Sequence, residues 1–207
     1  MRKVIKLSVV LFSILMATSV SAQDLSFGVK AGVNFSKMDL EYVYESGGMK
    51  IGPVVGVTMD YGITESLFLL TGLDLSFKGF KESEYEYSYT LNPIYLQVPI
   101  HAAYKVSIAE AENVKIVFDA GPYVAFGIAG KETFKDKEDG TSDSEDLFGD
   151  GIDQMKRFDF GMGLGIGLEL EKLKFSIGYD HGLANISNDS EYKVYNRNFF
   201  LTVGYRF

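Results

Sequence analysis

His101 and His181 are the only imidazoles in these 207 residues, and there is no cysteine. General-base chemistry of the histidine kind must run through those two rings, and thiolate catalysis, disulfides and thiolate metal sites are excluded. Asp180 stands beside His181 in sequence, the nearest approach to an acid–base pair. His101 shares a parity with Tyr95 and Gln97 but has no serine at a spacing that suggests a nucleophile.

A second set of reactive groups is charged. Lys30, Lys50, Lys78, Lys105, Lys115, Arg157, Lys174 and Arg206 stand against Asp60, Asp74, Asp119, Asp159, Glu169 and Asp180. Held on one enclosed face, they would have to pair, either as a salt-bridged filling or as an ion or proton relay. The filling is the reading adopted. A third set is the acidic stretch holding Glu132, Asp136, Glu138, Asp139, Asp143, Glu145, Asp146, Asp150 and Asp153 against three lysines. It lacks the Asp-x-Asp-x-Asp-Gly run of an EF-hand. It reads as a solvated loop, with calcium capture or a basic partner surface as alternatives. Its repelling charges make Lys135–Asp150 the segment expected to be least ordered, with Leu147 and Phe148 its only large apolar anchors.

The elements that would position these groups are strands. Leu25, Phe27, Val29, Ala31, Val33 and Phe35 alternate with Ser26, Gly28, Lys30, Gly32, Asn34 and Ser36, a period of two that a strand sorts onto two faces and a helix scatters. The alternation returns over 50–61, 67–78, 94–105, 114–128, 157–170, 173–180 and 199–207. Val54, Phe68, Leu70, Val117 and Phe200 are the exceptions, standing on the polar face. Most segments reach the roughly 9–11 residues that a tilted membrane-crossing strand needs. Links alternate between short (62–65, 107–113, 171–172) and long (37–48, 79–93, 131–154, 184–193). The expected fold is all-β, an eight-stranded antiparallel up-and-down transmembrane barrel.

Period two also fits a soluble barrel with its apolar face inward. Three features favour the opposite sense. Gly161, Gly163, Gly165 and Gly167 stand on the polar face, where they would weaken a solvated strand but make room in a crowded lumen. Aromatics on the apolar face gather toward strand ends: Phe35, Phe77, Phe126, Phe158 and Phe199 at the loop side, Tyr61, Tyr104, Phe175, Tyr205 and Phe207 at the turn side. The chain finishes on an alternating strand closed by an aromatic, Phe199-x-Leu201-x-Val203-x-Tyr205-x-Phe207, similar to the signal that outer-membrane assembly machinery reads.

Three stretches carry a closer resemblance. Gly28-Val29-Lys30-Ala31-Gly32-Val33-Asn34-Phe35-Ser36 resembles the opening strand of the PorT-like outer-membrane β-barrel family. Tyr95-Leu96-Gln97-Val98-Pro99-Ile100 is similar to that family's fourth-strand motif, and Gly121-Pro122-Tyr123 to its fifth strand. The resemblance implies an outer-membrane location and, through the family's best-known member, a link to protein secretion.

Residues 1–22 read as a signal peptide: Arg2, Lys3 and Lys6, then apolar Leu7–Met16, then Val20-Ser21-Ala22 before Gln23. Residues 23–207 are then one barrel domain. Without those three cations the formal net charge of −8 becomes −11, which argues against nucleic acid as a partner. The expected protein is a non-enzymatic outer-membrane barrel with a side-chain-filled lumen, structural or adhesive, or accessory to an envelope or secretion complex. No catalytic, metal or cofactor residues are assigned. The partners expected are outer-membrane lipid, the assembly machinery, and envelope or secretion-system proteins. The alternatives are a channel for small solutes or ions and, less favoured, a barrel enzyme acting on envelope lipid.

Overall fold

The computed structural model describes residues 25–40, 48–108, 113–189 and 191–207; the expected leader lies outside them. Ten strands follow in order: β1 (Leu25–Leu40), β2 (Lys50–Gly62), β3 (Leu67–Phe77), β4 (Phe80–Ser83), β5 (Tyr87–Ser107), β6 (Val114–Asp136), β7 (Ser142–Asp146), β8 (Phe158–Leu170), β9 (Leu173–Gly182) and β10 (Val194–Arg206). Their neighbour order is β4-β5-β3-β2-β1-β10-β9-β8-β6-β7, and a further β5–β6 pairing returns the sheet on itself. β1, β2, β3, β5, β6, β8, β9 and β10 thus form an antiparallel ring of eight, with β4 and β7 outside it. Closure leaves the ring no free edge.

Each of the eight alternating segments coincides with one ring strand, with Lys78, Arg157 and Phe207 falling just outside β3, β8 and β10. The structure adds three things. β5 starts at Tyr87 and β6 runs on to Asp136, so their hairpin continues above the ring with Tyr87 opposite Asp136. β10 starts at Val194, earlier than the alternation shows. β7 is a strand within the acidic loop, pairing Ser142–Asp146 with Lys131–Lys135. Within Lys135–Asp150, the segment expected to be least ordered, Ser142–Asp146 thus has ladder partners, and Leu147 and Phe148 are buried.

The apolar face points outward. Phe27, Val29 and Val33 on β1 and Phe199, Leu201 and Val203 on β10 are exposed, while Asn34, Ser36, Asn198 and Thr202 on the same strands are buried. The loop-side aromatics meet in register, Phe35 opposite Phe199, Phe199 opposite Tyr179, and Phe126 opposite Phe158. Val54 and Val117, two of the parity exceptions, turn inward and are buried.

Candidate functional site in the lumen

The interior has two storeys. Toward the turns it is polar and built from ion pairs. Lys30 Nζ is 2.8 Å from Asp74, and Lys105 Nζ lies 2.8 Å from Asp60 and 2.7 Å from Glu169. Arg206 and Lys174 approach Glu169 at 3.6 and 4.0 Å. Lys78, wholly buried, is 3.7 Å from Asp180 and sits 4.7 Å from the centre of the Tyr123 ring. Gln97 donates to Asp180 at 3.1 Å, and Asn34 donates to Ser76 Oγ at 2.9 Å. These charges come from strands that alternation alone turned inward, so the salt-bridged filling expected from the sequence is present in this storey. Lys50 and Arg157 bind backbone oxygens instead. Lys50 donates to Lys78 O at 2.9 Å, and Arg157 donates to Gly127 O at 2.9 Å while lying exposed at the mouth, past the ring.

His101 and Asp119 meet across β5 and β6, with Nδ1 2.6 Å from the carboxylate. A proton on Nδ1 would be donated to Asp119 across this contact. Nε2 has no protein partner. Asp180 and His181 go to opposite faces, one buried and one exposed, as adjacent strand residues must. Among the described residues the His–carboxylate pair is therefore His101–Asp119, which sequence reasoning did not join. Finding it needs the β5–β6 register.

The four β8 glycines are the floor on which these groups stand. A Cβ on Gly163 would lie 2.8 Å from the His101 ring, and one on Gly165 would lie 2.8 Å from the Asp119 carboxylate. A Cβ on Gly161 would come within 2.7 Å of the Tyr123 ring. Glycine at these positions makes room for neighbours across the lumen.

Toward the loops the interior is apolar. Met38, Phe80, Leu91, Tyr95, Tyr123, Leu147, Phe148, Ile186 and Val194 form one buried cluster. Leu147 and Phe148 follow directly on β7, so the acidic hairpin folds back and seats two side chains in the mouth. Phe148 packs edge-on against Tyr95, its ring lies where a Cβ on Gly127 or Gly130 would sit, and the Arg157 guanidinium covers it at 5.4 Å. Backbone bonds bind this segment to the last long loop: Met155 N–H to Leu147 O and Lys156 N–H to Ile186 O, both 2.8 Å. Asn188 donates to Gly149 O at 2.7 Å. Above the ring, Tyr89 donates to Glu132 at 2.7 Å. Burial, then Glu132, pushes its phenol above the ordinary range and keeps that proton in place. Lys131 holds the exposed Asp146 carboxyl below its usual range.

A barrel wall with an apolar band outward, in-register aromatics and charges locked inside fits crossing a lipid bilayer. The family model described as outer membrane protein beta-barrel domain matches residues 21–188. The chain belongs to that family. It is an outer-membrane protein. Among solved structures it is similar to Ail, the attachment invasion locus protein of Yersinia pestis, at 16% identity and a TM-score of 0.49, covering 89% of this chain and 100% of that one. Neisserial surface protein A has 16% identity and a TM-score of 0.47 over 89% of this chain and 100% of its own. The N-terminal barrel domain of Pseudomonas aeruginosa OprF has 10% identity and a TM-score of 0.32, over 86% and 97%. No curated protein matches the chain.

What the lumen can do chemically is limited. His101 has its orienting carboxylate, yet it faces an enclosed space in which no nucleophile is bonded to it. Among the described residues, no group of three or more His, Asp or Glu side chains is placed to hold a metal.

Proposed function

We propose that the protein is a non-enzymatic eight-stranded barrel spanning the outer membrane, with turns toward the periplasm and its role carried by the extracellular loops. That role is structural or adhesive, or accessory to an envelope or secretion complex. The observation that carries the reading is the plug. Leu147, Phe148, Tyr95 and Tyr123 lie in the mouth and are almost wholly buried, which supports a lumen closed on the loop side. Functional surface is then left to the loops and the lipid-facing wall. The likeness of Gly28–Ser36 and Tyr95–Ile100 to PorT-like strands supports the secretion-linked form of this reading.

Exchanging the four long loops for short turns tests it. The shortened barrel should still insert, and envelope proteins that co-purify with the wild type from outer membranes should be lost. Retention of the same partners would place the role in the wall or lumen. The competing reading, a small-solute or ion channel, rests on the ion pairs beneath the plug.

A further inference from the structure

Above the ring, β4, the start of β5, the end of β6 and β7 continue as a small sheet in the order β4-β5-β6-β7. Its two faces are sorted by charge. Phe80 and Leu91 belong to the buried cluster and Tyr89 packs against it, so their parity marks the face turned toward the barrel axis. The register puts Glu82, Glu132, Asp136, Asp143 and Glu145 on that same face. The opposite face carries Lys81, Lys131 and Lys135, with serines and threonines between them. Its carboxylate in these paired rows, Asp146, is already bonded to Lys131 at 2.8 Å. Lys81 and Lys135 are exposed and make no ion pair among the described residues. Lys137 brings a further cation there, its ammonium 3.0 Å from Ser83 Oγ.

That lysine face is the upward continuation of the lipid-facing wall. On β5, Ser88 and Thr90 share the parity of the exposed Leu96 and Ile100. On β6, Lys131 stands roughly 10 Å along the strand beyond the exposed Ile128, and a tilt near 45° turns this into roughly 7 Å of height. The polar layer that borders the apolar core is about 5–8 Å deep on each side. Lys131 is thus at headgroup level, and Lys81, which shares a row with Thr90 and Thr133, stands just above it. The carboxylates that phosphate would repel are turned to the axis.

We propose that the outward lysine face of this sheet binds the phosphate groups of outer-leaflet lipid. Complementary charge and continuity with the apolar wall carry the inference, which rests on the orientation proposed above, with the loops outside the cell.

The test uses the purified full-length barrel in maltoside micelles, with a diphosphorylated glucosamine lipid (lipid A) as probe. The same lipid stripped of phosphate and inorganic phosphate alone are the comparisons. Native mass spectrometry should show saturable retention of the phosphorylated lipid, and much weaker retention of the other two. Lys81→Ser and Lys135→Ser should each weaken it by roughly fivefold, the weight of one lysine at an anionic lipid surface. Lys172→Ser, an equal change of charge at the turn end, should leave it unaltered. Equal retention of the stripped lipid, an equal loss in Lys172→Ser, or unchanged affinity in the double variant at 81 and 135 would overturn the proposal. Inorganic phosphate bound as tightly as the lipid would replace the lipid with a free anion. Orientation is checked separately, by an impermeant maleimide on whole cells carrying Asp139→Cys. Labelling there with failed lipid binding refutes the lysine face alone, whereas absence of labelling overturns the orientation and this inference with it.

Discussion

At the scale of single residues the lumen is governed by what glycine omits. Gly163 and Gly165 let His101 and Asp119 pack close against β8. Gly163→Val should force the His101 ring out of place and destabilise the barrel by roughly 1–3 kcal/mol, the usual cost of overpacking. Urea unfolding in micelles reads this directly, and an unchanged midpoint would mean the ring is not packed there. The inward direction of His101, Asp119 and Asp180 is legible from parity alone. Which of them meet is not, because a pairing depends on how neighbouring strands are registered, and parity within one strand carries no information about that.

At the scale of elements, the eight ring strands are legible because each sets one face against lipid and the other against a crowded interior. β7 escapes such reading: Ser142-Asp143-Ser144-Glu145-Asp146 has no apolar alternation and is exposed on every residue. Its place is fixed from both ends, by pairing with β6 and by Leu147 and Phe148 dropping into the mouth. Phe148→Ala should release this hairpin, with about 3–5 kcal/mol lost from the packing of the plug. Protease added to whole cells should then cut within 137–150 far faster than in the wild type while the ring stays intact. Equal cleavage would show that the hairpin is held by its ladder alone. The last strand is also expected to serve in assembly. Phe207 stands 70% exposed on the outward face, bonded through its N–H to Phe27 O at 2.9 Å. Deleting it removes one bond of the β1–β10 seam and the terminal aromatic. Exported protein should then collect uninserted in the periplasm, and undiminished outer-membrane levels in the deletion strain would refute a role in insertion.

For the whole molecule, ring closure and the outward apolar face follow from features the sequence displays, whereas the division of the interior does not. The plug is carried by a loop whose composition is acidic. A lumen sealed above and polar below would be closed to through-flow. Single-channel recording of the purified protein in planar bilayers tests this most directly. The account predicts no stable, reproducible conductance, and none gained on substituting Asp74 or Lys105. Steady channels in the wild type, with a conductance that changes on either substitution, would contradict the closed lumen and establish transport in its place.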